Sequence, residues 1–358
     1  MTREDKLERP ASGALAGAAR IIRAAAHVSG RERRAVAIAG LLFVAVALLP
    51  LASTGYLLSI GVSIAMYTVL ATSWALFSGP TNYISLGTAA FFGIGMYVVA
   101  GGIGLVPYAV LVVLAALAGA LFAAVIGLAT LRISGVYFVI FTLGMAELIR
   151  QIVSWGQATM GSQAGLYVLT GMADSTLYWL LVILAAFVYF IGWRIGRSRL
   201  GFALRIIGND EVVAVHSGIN TARVKVVLFV ISSTFASLTG AFVAPRWSYV
   251  EPTLAFSPFI SFQVVIMALL GGVHRLWGPL LGVIPFTVLW ELISARFPAQ
   301  TTLLLGVAFL LIVYIIPNGV VGLVEDMMRH RKGLLGALRD GMQPRLKGLL
   351  QRGKNSNA

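Results

Sequence analysis

Cysteine is absent from this chain of 358 residues. That excludes a disulfide framework, a thiolate metal site and a Cys nucleophile. Charge is scarce as well. Asp, Glu, Lys and Arg make up 11% of the residues, too few for the surface of a water-soluble domain of this size. The four histidines, at positions 27, 216, 274 and 330, have no metal spacing, and no Ser-His-Asp set is recoverable. No G-x-x-x-x-G-K-[ST] loop is present, so no nucleotide is bound by that route. The expectation is a protein with no catalytic residues, metal or cofactor of its own. Short alternating strands are missing, which argues against a β-barrel. Carboxylates inside apolar runs are few, chiefly Glu147 and Glu291. A proton-coupled carrier would need more. Glu291, near the end of its run, is expected to make a surface or helix contact.

What remains is apolar. Hydrophobic residues make up 59% of the chain and the mean hydropathy is +0.90. They fall in runs of roughly 17–25 residues, enough to cross about 30 Å of hydrocarbon. The chain reads as an all-α, polytopic integral membrane protein with about ten transmembrane helices. The spans are placed at 35–51, 56–77, 84–104, 107–131, 135–154, 176–196, 222–244, 257–273, 277–295 and 299–317. The pair 257–273 and 277–295 also reads as one helix broken at Gly271-Gly272 and Gly278-Pro279. Three segments follow: a basic N-terminal stretch over 1–34, a membrane domain over 35–317 and a basic C-terminal tail over 318–358. The charged stretch before Ala35 is too long for a cleavable signal peptide.

The formal charge is +14. Its Lys and Arg lie between spans and at the two ends, which is a poor pattern for nucleic acid. With ten spans and both ends inside, all of the 27 except Arg150, Arg246 and Arg296 fall on the inner side. Nine spans would put one basic end outside. Both termini are therefore expected in the cytoplasm, where the basic ends either lie on anionic lipid or stay solvated.

Glycine is plentiful at 39 residues. Ala115, Gly119, Ala123 and Gly127 recur every four residues, as do Ala236, Gly240 and Ala244. Such stripes let helix backbones approach closely in lipid. Glu147 and Arg150, at i and i+3 in an apolar run, read as a pair on one helix face, with contact to substrate as the other reading.

The most informative stretch is polar. Residues 199–220 read RLGFALRIIGNDEVVAVHSGIN. Asn209 is a good helix N-cap, with Asp210 and Glu211 in the first turn. Val212, Val213 and Val215 give a short helix one apolar face, and Gly218 stands in C-cap position. The expected product is a short interfacial helix on the cytoplasmic side. An ordinary amphipathic connector is the plainer reading.

With these residues in view, the chain resembles the permease subunits of branched-chain amino acid ABC importers, most closely the LivM type. The likeness runs from about Leu57 to Leu323. It rests on SLGTAAFFGIGMY at 85–97, LRISGVYF at 131–138, Ala146-Glu147 with Arg150, and residues 201–225. Gly271-Gly272, LWGP at 276–279 and PNG at 317–319 complete it. The resemblance implies the fold of an ABC importer permease. It also implies partners: a homologous second permease, two cytoplasmic ATPases that bind the ATP, and a periplasmic substrate-binding protein. Glu211, Ala214 and Gly218 match an E-x-x-A-x-x-x-G pattern, which implies that the loop at 197–221 docks into an ATPase. Arg205, Asp210, Glu211, Ala214, Gly218 and Ile219 are the expected coupling residues. Thr88 departs from a frequent His, and His274-Arg275 departs from Gly-Ser.

The expected function is thus import of branched-chain or related aliphatic amino acids across the bacterial inner membrane. The alternatives are an importer of urea or short amides and a secondary transporter without ATPases. Ser85, Gly87 and Thr88, with Gly271 and Gly272 placed beside them, are the candidates for the translocation path. Close helix packing is the competing role for each.

Overall fold

A computed structural model describes residues 55–130, 135–159 and 165–300, with a few positions between 303 and 307. The expected spans at 35–51 and 299–317 fall wholly or largely outside that set, as do both basic ends. The described chain is helical. In order come α1 (Tyr56–Thr81), α2 (Thr88–Gly102), α3 (Tyr108–Thr130), α4 (Val136–Thr159) and α5 (Asp174–Gly196). Then follow α6 (Arg199–Asn209), α7 (Glu211–His216), α8 (Thr221–Val243), α9 (Pro252–Ala255), α10 (Pro258–Gly271) and α11 (Gly278–Arg296). Two-residue strands β1 (Leu166–Tyr167) and β2 (Tyr249–Val250) pair antiparallel, Leu166 opposite Val250.

Seven stretches of described residues are long and apolar enough to cross a membrane: α1, α3, α4, α5, α8 with the short turn after it, α9 with α10, and α11. Helix α2 is equally apolar but has only 15 residues. These eight match the eight spans expected in the described region. The chain is an all-α polytopic membrane protein. α10 and α11 are separate helices joined by a turn over 272–277, not one broken helix.

Helix α8 is the packing centre. Most of α3 is at least partly exposed, but its stripe Ala115, Gly119, Ala123 and Gly127 is buried. A Cβ on Gly119 would stand 2.4 Å from the Ser237 Cβ of α8. The Ser237 hydroxyl donates to the Ala115 carbonyl at 2.7 Å. On the other side, α8 meets α2 backbone to backbone. A Cβ on Gly240 would lie 1.9 Å from the Phe92 oxygen, and one on Gly95 1.8 Å from the Ser237 oxygen. Small residues thus replace a hydrophobic driving force that lipid does not supply.

One expectation changes here. The run 84–104 is not helical throughout: residues 82–87 are irregular, entered through a left-handed Asn82 at φ +58°, and the helix begins at Thr88. Ser85, Leu86 and Gly87 are nonetheless buried. Irregular backbone inside a membrane protein needs internal partners, and side chains from three helices supply them. Trp74 Nε1 donates to the Ser85 carbonyl at 2.7 Å. The Leu86 amide donates to Thr142 Oγ1 at 3.0 Å, and the Ala89 amide to Ser261 Oγ at 2.9 Å.

Candidate functional site

The polar island folds as two helices with a shared cap. Helix α6 starts at Ser198, whose hydroxyl accepts from the Gly201 amide at 3.4 Å. It buries Gly201, Ala203, Leu204 and Ile207 and leaves Phe202 65% exposed. Arg205 Nη2 donates to the Gly196 carbonyl at 3.2 Å, tying α6 to the end of α5. Asn209 is not the cap of the next helix. It is the last residue of α6, and Asp210 takes the cap. Asp210 is extended, and its Oδ1 accepts from the amides of Val212 at 2.8 Å and Val213 at 3.4 Å. A charged carboxylate is the stronger acceptor at a helix N-terminus.

Helix α7 has six residues and a defined stop. Gly218 has φ +77°, its amide donates to the Val215 carbonyl, and the Ile219 amide donates to the Ala214 carbonyl at 3.1 Å. That pair of bonds is a Schellman C-cap, which explains glycine at 218. Ala214 is fully buried, while Val212, Val213 and Val215 are 53–64% exposed. The apolar face of α7 therefore points away from the chain's own core.

Behind α7 lies a cluster that sequence reasoning missed. Lys225, in the second turn of α8, is 1% exposed. Its ammonium forms an ion pair with the Glu211 carboxylate. It also donates to the Tyr83 hydroxyl at 2.9 Å and stands 4.1 Å from the Tyr83 ring centre. The Tyr83 hydroxyl in turn donates to Glu211 Oε2 at 3.4 Å. Asn82, next in the chain, donates from Nδ2 to the Gly208 carbonyl at 3.2 Å. The link between α1 and α2 is thus fastened to both α6 and α7. The signal for Lys225 was a lone lysine just inside an apolar span; nothing in sequence marked Tyr83.

From Tyr83 a set of buried rings leads inward. Its ring meets Phe138 of α4 edge-on at 5.4 Å. Phe138 contacts Phe77 of α1 and Phe229 of α8, and Phe229 contacts Phe91 of α2 at 5.6 Å. Of these rings, Phe77, Phe91 and Phe229 close on a cavity of about 10 Å³ that Ser85 and Thr88 also line. It has room for about one water. Gly87 lies against it, where a Cβ would come 3.5 Å from Ser85 Oγ.

Gly271 and Gly272 are elsewhere. Gly271 packs on α11, where a Cβ would meet the Gly278 oxygen at 1.9 Å, and Gly272 turns the chain at φ +107°. The part of α10 that meets the start of α2 is Ser261. Gly79 of α1, against the Val273 carbonyl, brings the α10–α11 turn to a cleft of about 610 Å³ shared with α5 and α6. Arg205, His274 and Arg275 line this cleft.

Glu147 and Arg150 pair as expected on one face of α4. Arg150 Nε donates to Glu147 Oε2 at 2.9 Å, and Gln151 Nε2 donates to Glu147 Oε1 at 3.0 Å.

Against this geometry, a family model described as "Branched-chain amino acid transport system / permease component" matches residues 56–316. This chain belongs to that family. Its relatives include the LivM permease of the high-affinity branched-chain amino acid transport system of Escherichia coli (strain K12). The two are 26% identical over 310 residues, 75% of this chain and 70% of the relative. The LivH permease of the corresponding system of Salmonella typhimurium is 29% identical over 150 residues, 41% of this chain and 47% of the relative. The ribose import permease RbsC of Haemophilus influenzae is 28% identical over 108 residues, 29% of this chain and 32% of the relative. No solved structure matches. The family member is a multi-pass membrane permease, as its fold requires, and its relatives are transport subunits rather than enzymes.

Proposed function

We propose that this chain is one permease subunit of an ATP-driven importer for branched-chain or related aliphatic amino acids. Two ATPases drive it from the cytoplasm, a homologous permease completes the path, and a periplasmic binding protein delivers the substrate. The observation that carries the reading is the pose of α7. It is capped at both ends, held from behind by Lys225, and turned so that three valines and Phe202 face outward. An apolar patch beside charged groups is the surface that a partner protein covers.

In this reading the ATPases pull on α7 as they close. The pull passes through Glu211 to Lys225 of α8 and to Tyr83 before α2. Those two helices share a backbone contact, so they move together. Tyr83 lies in the irregular segment at 82–87, and the ring contacts carry the shift on to Phe91 of α2. A small displacement at α7 thus rearranges irregular backbone inside the membrane domain, which is how a switch between outward and inward states begins.

The test is Val213→Asp in the assembled transporter. It places a charge in the centre of the patch without touching the chain's own core. The variant is expected in the membrane at the wild-type amount, with substrate-stimulated ATP hydrolysis down at least roughly tenfold. Unchanged stimulation contradicts the docking assignment.

A further inference from the structure

A cavity of about 320 Å³ lies at the end of the bundle away from α7, between α1, α8, α10 and α11. Met66, Met267, Trp247 and Trp290 give it apolar walls. Set into the walls are Arg246, at the end of α8, and Glu291, on α11. Both are half-buried. They do not pair with each other, and neither has an ion-pair partner among the described residues. Arg246 bonds Ser59 through Nη2 alone, at 2.6 Å to the hydroxyl. Thr287, also in the lining and one helical turn from Glu291 on α11, is 2% exposed, and its hydroxyl has no hydrogen-bond partner among the described residues.

Opposite charges held apart within one partly buried cavity are costly. So is a buried hydroxyl without a partner. A ligand that carries an anion and a cation a few bonds apart relieves all three at once. Methionine and tryptophan walls add a place for an aliphatic side chain. The volume is at the lower end of the ~300–1,000 Å³ of small-molecule sites. A neutral amide leaves both charges unmatched, and a dicarboxylate leaves Glu291 opposed.

We infer that this cavity is a binding subsite for a zwitterionic aliphatic amino acid. The Arg246 guanidinium takes the α-carboxylate and the Glu291 carboxylate takes the α-ammonium. The Thr287 hydroxyl bonds between them, and the side chain lies on the Met and Trp walls. The inference rests on the import of amino acids proposed above and adds the residues that choose among substrates.

The experiment uses the assembled transporter in lipid nanodiscs without its binding protein. Binding is measured with labelled L-leucine, with leucinamide, which lacks the carboxylate, and with 4-methylpentanoate, which lacks the ammonium. Leucine is expected to bind at least tenfold more tightly than either analogue. Arg246→Gln should weaken leucine at least tenfold and leave leucinamide unchanged. Glu291→Gln should weaken leucine equally and leave 4-methylpentanoate unchanged, while Arg246→Lys retains part of the leucine affinity. Wild-type leucine affinity in either glutamine variant overturns the subsite, and so does an equal loss for all three ligands. Should those variants fail to assemble, Ser63→Cys decides, because Ser63 also lines the cavity. Leucine must slow its reaction with a small thiol reagent; no protection overturns the subsite. If these results fail while ATP-driven leucine import persists, the subsite alone falls. If the wild type imports no branched-chain amino acid, the functional reading fails too.

Discussion

At the scale of single residues, Glu211 has a different position from the one its sequence context implied. In sequence it is an acid in the first turn of a short helix, expected to meet a partner. In the structure its carboxylate is engaged by Lys225 and Tyr83. Glu211→Lys would therefore act first inside this chain, by setting a second ammonium against Lys225. The pair is separable by mutation. Lys225→Met strands Glu211 and removes the donor to Tyr83. Because the Glu211 side chain is 41% exposed, the expected cost is moderate, about 1–3 kcal/mol. It should appear as a lower melting temperature of the purified transporter. Adding Glu211→Gln leaves no charge unpaired and should recover most of the loss. A double variant as unstable as the sum of its parts contradicts the pairing. The C-cap of α7 was legible in sequence because a cap is local: Gly218 acts on backbone within a few residues of itself, whereas the N-cap falls on Asp210, one residue beyond the expected Asn209. The lysine and its tyrosine are 142 positions apart, and no local pattern joins them.

At the scale of elements, the stripes of small residues were read correctly as close packing. Ala115 to Gly127 and Ala236 to Ala244 are the surfaces by which α3 and α2 reach α8. Gly240→Leu must push apart two backbones, not only side chains. The expected destabilisation is at least about 1–3 kcal/mol. The check is the amount of monodisperse transporter recovered from membranes, which should fall well below that of Ala123→Ser. Equal recovery contradicts the α2–α8 contact. The irregular entry at 82–87 was not legible. Its residues continue the apolar run of α2, and what breaks the helix is a set of bonds from Trp74, Thr142 and Ser261, each on another helix. Periodicity reports which residues avoid water; it does not report which backbone groups find side-chain partners. For the same reason the serine and threonine near Gly87 and the glycines at 271–272 looked alike in sequence. The structure gives the first group a polar cavity and the second a tight helix hairpin.

At the scale of the whole molecule, the bundle has two ends of different chemistry. One carries α6, α7 and the Lys225 cluster. The other carries β1 and β2, Arg246 and the cavity with Glu291. Arg246 stood out in sequence only as a basic residue on the sparsely charged side of the bundle, and Glu291 only as an embedded acid. Their shared cavity depends on how α8 and α11 pack around α1 and α10, which no spacing rule encodes. The proposed import mechanism requires that an ATPase take hold of α7. A chain without cysteine allows that to be tested at one atom. Val213→Cys, carried through purification of the assembled transporter, is treated with a short thiol-to-amine cross-linker with and without ATP. The account predicts a covalent product of this chain with the ATPase subunit, in a yield that changes with ATP. A product with no ATPase, together with labelling of the same cysteine from outside intact cells by an impermeant reagent, would contradict it.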